Sequence, residues 1–257
     1  MNEMYFQKKG KLVYCKWDIF REFDNLIAVF STRKGGFSTP PYNSLNLGSS
    51  TDDLPENVIN NRNNFFHTLN ISEERIASAV QVHGDNVIIA EKSGNLGVGD
   101  GLITDICNIF LCGTYADCAS VMVFEPYRKV IGLFHVGWKS LSIEIVKKGI
   151  RKICRVYSIE PDNLLIGISP HIKQCCYVVR KDVAGLFEQK FLVKSGEEQW
   201  KLNIENIIVK QLNEAGVEEE NIERSNLCTS CNDDMFFSYR RDKRCTGRML
   251  AVIGVEK

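Results

Sequence analysis

KVIGLFHVGWKS, residues 129–140, is the stretch on which the fold turns. Lys129–His135 is a run of β-branched and aromatic residues of strand length, and it ends on a histidine. Gly137 eases a tight turn, and a helical period follows over Ser142–Tyr157. There Ile143, Val146, Ile150, Ile153, Cys154 and Tyr157 recur on one stripe. Ser140 or Ser142 is placed to cap this helix, and Glu144 complements the positive end of its dipole. Lys147, Lys148, Arg151 and Lys152 lie towards the negative end. A histidine that closes a strand just before such a turn projects into a crevice rather than into the middle of a core.

Outward from this unit, strand signals recur at Leu26–Thr32, Asn86–Ala90, Ile109–Tyr115, Ser120–Phe124, Leu164–Ile168 and Leu250–Val255. Helical periodicity marks Pro55–Leu69, with Val58, Arg62, Phe65, Phe66 and Leu69 on neighbouring turns. It also marks Asn203–Ala215, with Gly216 as a stop. Helices are interspersed among strands without regular alternation, which predicts an α+β fold with mixed sheets rather than a doubly wound parallel sheet. No repeat or linker interrupts residues 1–257, which read as a single domain.

Lys+Arg and Asp+Glu are equal at 32 each, so no basic excess exists to release phosphate counterions or to attract an anionic membrane. These partners are excluded as general binding modes. Met1–Trp17 has no signal-peptide core, and no apolar run reaches bilayer length, so a cytoplasmic location is expected. In a reducing compartment the ten cysteines are thiols. Cys15, Cys107, Cys112 and Cys154 sit among apolar neighbours as small hydrophobes.

Phosphate-loop, HExxH, GxSxG and deaminase signatures are absent, and the glycines of Gly97–Gly101 lack the dinucleotide spacing. The chain holds four histidines. His67 reads as a helix residue and His171 as a structural or substrate-loop residue. His83 stands at a strand-to-turn junction and His135 at a strand end, while Cys118 lies between two strand runs. Two imidazoles and a thiolate make a soft three-ligand set with an open position, the pattern of a catalytic zinc site. The sequence gaps carry no metal-finger spacing, so only the fold can bring the three together. Cys228-Thr-Ser-Cys231 has no second CxxC and reads as a loop with two thiols; adjacent Cys175 and Cys176 do not suit a relaxed disulfide. Arg33, in Ser31–Gly36 after a strand, is an anion-binding candidate. Ser238–Arg241 and Thr246–Arg248 are locally basic and read as solvated surface.

With these residues in view, the sequence resembles the YfiH/laccase-domain family, described as purine nucleoside phosphorylases with adenosine deaminase activity and formerly as polyphenol oxidases. The resemblance rests on STRKGGFSTPPYNSLNLG (31–48), Asn61-Arg62, QVHG (81–84), DGLITD (100–105), ADC (116–118), HVGW (135–138), ISPHIKQCCYVV (168–179), Cys228-Thr229, FFSYRRD and TGRM. It implies a layered αββα-type sandwich with mixed sheets, as in YfiH-like and CNF-like cysteine hydrolases. It also implies zinc held by the histidine of QVHG, the cysteine of ADC and the histidine of HVGW: His83, Cys118 and His135. Three departures stand out. HVGWKS replaces the usual HAGWRG, so Lys139 lacks an arginine's bidentate fork and Ser140 replaces glycine. ISPHI replaces IGPSI through Ser169 and His171, and Val178 removes the carboxylate of the usual YEV.

The resemblance implies phosphorolysis of adenosine, inosine, guanosine or methylthioadenosine, and deamination of adenosine, by zinc with purine nucleosides and phosphate as partners. Asp117 is the candidate to orient water or to support a ligand, and Arg33, Lys139 and Tyr177 are the substrate and phosphate candidates. A rival reading makes Cys118 a nucleophile with His83 or His135 as base, in an amide or peptide hydrolase for cell-wall precursors. Another is a non-catalytic domain that binds zinc and nucleosides. Copper is a second metal for this ligand set, with Met122 near in sequence, but a multicopper laccase needs many more imidazoles than four histidines supply. Monomer and homodimer stay open.

Overall fold

The computed structural model describes residues 4–257; Met1–Glu3, the start of the segment read for a signal, lie outside the described residues. Two mixed sheets stack face to face. In spatial order the larger contains Tyr5–Lys9, Leu12–Lys16, Leu26–Ser31, Met249–Val255, Phe110–Tyr115, Ile76–Val80 and Gly94–Val98. The second contains Ile222–Arg224, Leu165–Ile168, Ala119–Glu125, Val130–Val136, Gly101–Thr104 and Val87–Ile89. Pairing is antiparallel except for Ile76–Val80 with both neighbours and for the outermost pair at each end of the second sheet. A small antiparallel sheet joins Val178–Arg180, Gln199–Leu202 and Leu192–Gly196.

The period-2 pleat assigns each face. Along Met249–Val255, Leu250 and Val252 pack with Phe65 and Phe66 of the helix Pro55–Thr68, while Ala251 and Ile253 face the other sheet. Along Ala119–Glu125, Met122 and Phe124 meet them from the second sheet, and Val121 and Val123 point away, towards the helices Ile145–Tyr157 and Ile204–Glu214. The order is therefore helix, sheet, sheet, helices: the layered sandwich that the family resemblance implied, within the α+β class read from the residues. Val146, Ile150 and Ile153 are fully buried, each stabilising by roughly 1.5–3 kcal/mol relative to exposure.

The strands read from sequence fall within a residue or two of the observed ones, and Asn203 caps its helix by accepting the Asn206 N–H at 3.1 Å. The helix after His135 differs. A short helix, Trp138–Ser142, comes first, and Glu144 at φ 63° breaks the chain before Ile145–Tyr157. Ser140 does not cap the long helix; its Oγ accepts the Gly137 N–H at 3.0 Å. Ile143, placed by periodicity on the apolar stripe, is turned out at the break and 41% exposed. Among the described residues no helix is long and apolar enough to cross a membrane.

Candidate metal centre

His135 shares the pleat phase of Ile131 and Leu133, so it faces the space between the sheets rather than the helical layer. At the strand's end that space opens, and two loops close over it. One follows Ile76–Val80 and carries His83 at φ 60°; the other follows Phe110–Tyr115 and carries Asp117 at φ 89° immediately before Cys118. Left-handed backbone at two non-glycine positions is costly and persists where surrounding structure fixes it. The ligand atoms of His83, Cys118 and His135 all lie within 4.8 Å of one another. The two imidazole rings are 4.7 Å apart.

Beneath them lies Asp100, whose carboxylate is fully buried. Its Oδ1 is 2.7 Å from His135 Nδ1 and accepts the His83 N–H at 2.9 Å. Its Oδ2 accepts the Gly84 and Val82 N–H groups at 2.7 and 3.1 Å. One carboxylate thus anchors two of the three candidate ligands and leaves His135 Nε2 as that ring's free nitrogen. Burial works against the charge of Asp100, but the His135 contact and the backbone donors hold its carboxyl below the usual range.

Cys118 and His135 polarise each other. Burial pushes the Cys118 thiol up, but the charge and hydrogen bonds of His135 and His83 outweigh burial and bring it well down. Burial pulls His135 down, but the Cys118 sulfur and Asp100 raise it well above an ordinary imidazole. A thiolate beside two imidazoles is a donor set that suits zinc. Gly137 is needed for closeness and not for turn geometry: at φ −102°, ψ 175° any residue fits the backbone. A Cβ there would sit 2.7 Å from His83 Nδ1 and 3.1 Å from Cys118 Sγ.

The three residues open onto a cleft of about 700 Å³. Trp138, Tyr177 and Tyr239 supply aromatic surface to it, and Arg240, Lys243, Arg244 and Arg248 supply positive charge. A hollow of about 630 Å³ beside Met4 and Leu227 has glutamates in its lining and neither cysteine nor histidine.

Of the residues singled out in the sequence, Tyr177 lines the cleft, with the Arg240 guanidinium 5.1 Å from its ring centroid. Asp117 also lines it, but its oxygens are engaged: Oδ1 accepts the Thr229 hydroxyl and Oδ2 the Arg240 N–H, both at 2.7 Å. Arg33 is not brought to the cleft. Its guanidinium is spent on the carbonyls of Asn43 and Asp233, each at 2.8 Å, and lies over the Phe237 ring. Lys139 is exposed outside the lining, 5.6 Å from its neighbour's indole. Met122, weighed as a copper ligand, is fully buried in the core between the sheets. His67 is exposed on its helix, and His171 is buried with Nδ1 2.7 Å from the Ser169 carbonyl.

The residues that sequence reasoning missed are Asp100 and the cations of 240–248. Asp100 opens the DGLITD run, where nothing in the residue types singles out this aspartate as the carboxylate beneath the histidines. The basic run was read as solvated surface, although paired arginines followed by TGR signalled charge concentrated in a chain with none in excess.

Fold and site together define a layered α+β protein with a His₂Cys group that could hold a metal ion at the floor of an aromatic and cationic cleft. The family model described as "Multi-copper polyphenol oxidoreductase laccase" matches residues 27–256, and the chain belongs to that family. It is 33% identical over 250 residues to the "Purine nucleoside phosphorylase YlmD" of Geobacillus stearothermophilus, covering 90% of this chain and 91% of that protein. The crystal structure of YlmD from G. stearothermophilus superimposes with a TM-score of 0.91 at 30% identity, over 98% of this chain and 99% of that one. The crystal structure of the Bacillus licheniformis hypothetical protein YfiH gives the same TM-score, identity and coverage.

Proposed function

We propose that this chain is a zinc-dependent purine nucleoside phosphorylase that also deaminates adenosine, with His83, Cys118 and His135 as the zinc ligands. The observation that carries the reading is the convergence of these three donors over buried Asp100, at the floor of a cleft walled by aromatic rings and cations. The name of the G. stearothermophilus relative agrees with it. Adenosine, inosine, guanosine and methylthioadenosine are the substrates considered.

When bound, zinc supplies Lewis-acid polarisation and acidifies water. The chain's own residues do the rest. Trp138, Tyr177 and Tyr239 offer ring faces to a purine, and Lys243 and Arg244 offer donors to phosphate, with the charges of Arg240 and Arg248 beside them. In phosphorolysis a phosphate oxygen bonds to the sugar C1′ as the C1′–N9 bond breaks, and the purine leaves with the bonding pair and takes up a proton. The cations hold the attacking anion and Asp100 holds the ligand rings in register. Asp117 acts as a positioning residue, tying Thr229 and the Arg240 backbone to the loop of Cys118.

Copper oxidase chemistry is disfavoured by composition. Two of the four histidines, His67 and His171, lie outside the metal-binding group, which leaves two imidazoles for any copper.

The test follows base release from inosine, with and without phosphate, by the zinc-loaded chain and by Cys118→Ala. Phosphate-dependent release that is lost in the variant, with its melting curve retained, is the expected result. Unchanged turnover in Cys118→Ala overturns the assignment. Inosine binding without turnover in the parent chain points instead to a non-catalytic domain.

One observation favours a second reading. Asp100, His135 and Cys118 stand in the order orienter, base, nucleophile, the logic of a thiol hydrolase for amide or peptide bonds. His83 has no task in such a triad, and its approach to the same sulfur favours the metal. Cys118 alkylation that proceeds equally with zinc and with chelator would reverse that preference.

A further inference from the structure

The pair Cys175-Cys176 and the CxxC of Cys228–Cys231 are 52 residues or more apart in sequence, yet the fold brings all four together. The first pair lies in the turn before Val178–Arg180. The second lies in the loop that Cys228 anchors by a parallel bridge to His171. Cys231 Sγ is 3.6 Å from Cys175 Sγ and 3.3 Å from Cys176 Sγ, and the sulfurs of Cys175 and Cys176 are 3.8 Å apart. The four ligand atoms all lie within 4.8 Å of one another. The reading of Cys228–Cys231 as an isolated two-thiol loop is thereby corrected: its partner is an adjacent CC in place of a second CxxC.

These spacings do not belong to disulfides, whose sulfurs are about 2.05 Å apart, and all four residues are free thiols. A tetrahedral zinc with Zn–S bonds of about 2.3 Å sets its sulfurs roughly 3.8 Å from one another. The surroundings also suit thiolates. Cys228 Sγ accepts the Lys173 N–H at 3.4 Å. Arg241 donates to the Thr229 carbonyl at 2.9 Å, which places a cation against the loop.

We propose that Cys175, Cys176, Cys228 and Cys231 form a tetrathiolate site for a structural zinc ion, separate from the His83–Cys118–His135 group. Four soft donors close the coordination shell and leave no open position, so the ion staples and does not catalyse. Loading balances as one Zn²⁺ taken up and a proton released from each thiol that enters as S–H, with no change of oxidation state. The staple acts next to the cleft. Tyr177 follows Cys176 directly, and Thr229, between the two cysteines of the CxxC, holds Asp117. The ion would therefore fix one cleft wall from behind.

The test measures zinc per chain in the full-length protein, purified under reducing conditions with zinc supplied. The variants are Cys228→Ser/Cys231→Ser and Cys118→Ala. Two zinc ions in the parent chain and one in each variant are expected. One zinc in the parent, lost in Cys118→Ala and retained in the loop variant, overturns the proposal. The opposite pattern supports it and defeats the metal reading of the other group instead, so the two assignments fail separately. A second measurement needs no variant: native chain is alkylated with iodoacetamide, with zinc or after chelation, and its cysteines are mapped by peptide mass. Protection of Cys175, Cys176, Cys228 and Cys231 that chelation abolishes supports the site. Equal labelling in both conditions, or peptides two hydrogens lighter through a disulfide, overturns it.

Discussion

Asp100→Asn is the most informative single change at the candidate metal centre, because the two side chains have the same shape and differ in what they accept. The carboxylate faces four donors: His135 Nδ1 and the His83 N–H at Oδ1, and the Gly84 and Val82 N–H groups at Oδ2. An asparagine can place its carbonyl on one side only. With the amide towards Gly84 and Val82 two hydrogen bonds are lost; towards the histidines only the His83 N–H loses its acceptor, because a neutral His135 can switch tautomer and accept through Nδ1. Hydrogen bonds to a charged acceptor contribute about 1.5–3 kcal/mol each, so the gross loss is roughly 1.5–6 kcal/mol. Relief from burying a charge offsets part of this, and about 2 kcal/mol is the working figure.

Urea melts of metal-free parent and variant read that loss directly. The second readout is zinc affinity, measured by competition with a chromogenic chelator. Removing a group that orients a metal-binding histidine costs about 10–100-fold in affinity. Destabilisation together with weakened zinc binding is the expected pair of results. A variant within about 1 kcal/mol of the parent, with unchanged affinity, would refute the reasoning that one buried carboxylate organises both histidines.

Three further outcomes are expected. Gly137→Ala, whose Cβ would come within 2.7 Å of His83 Nδ1, should lower zinc affinity at least tenfold, by roughly the penalty of a displaced ligand. Its melt should change little, because the backbone there already suits alanine; unaltered zinc affinity would count against the packed geometry. Ser169→Ala should cost about 1–3 kcal/mol in thermal or urea melts, since the buried Ser120 N–H loses the Ser169 Oγ that accepts it at 2.8 Å. Arg244→Ala, an exposed change, should leave the melt alone and raise the KM for phosphate severalfold while the KM for nucleoside stays put. Equal movement of both constants would show that Arg244 does not select phosphate.

Much of the sandwich was legible because its strands are buried on two faces. Runs such as VIGLF and MLAVIGV are apolar throughout, and neither depends on the loops for recognition. The hairpin Tyr5–Lys9 and Leu12–Lys16 was not read. It lies at a sheet edge, four of the five residues of its first strand are exposed, and alternation is weak. The helix after His135 was misplaced by a backbone event, Glu144 in the left-handed region, that no periodicity reports. At the candidate centre, the residue types of His83, Cys118 and His135 were legible but their convergence was not. It depends on left-handed backbone at His83 and Asp117 and on a glycine chosen for contact distance. The cysteine pairs were missed for a related reason: a search by spacing finds ligands supplied in the same way twice, and here the chain supplies CC once and CxxC once.

The charge distribution determines how a phosphate would be met. The chain is neutral overall, yet residues 240–248 carry five cations and one anion. Three of those cations serve the fold, Arg240 by donating to the Val178 carbonyl. Arg241 donates to the carbonyls of Thr229 and Phe236 and pairs with Asp242, and Arg248 donates to the carbonyls of Thr246 and Gly247. Lys243 and Arg244 are exposed, and both are held at positive φ, 50° and 79°, in a turn at the cleft mouth. At physiological ionic strength charges are screened beyond about 8 Å, so a cluster on a neutral protein does little to draw an anion from a distance. Inside the cleft, where low-dielectric walls limit screening, the same charges act at close range. Positive charge of this kind acts on an anion over short range, raising its local concentration in the cleft, and not through a long-range field of the whole protein. That is the arrangement suited to an enzyme whose other substrate is a neutral nucleoside reaching the same cleft by diffusion alone.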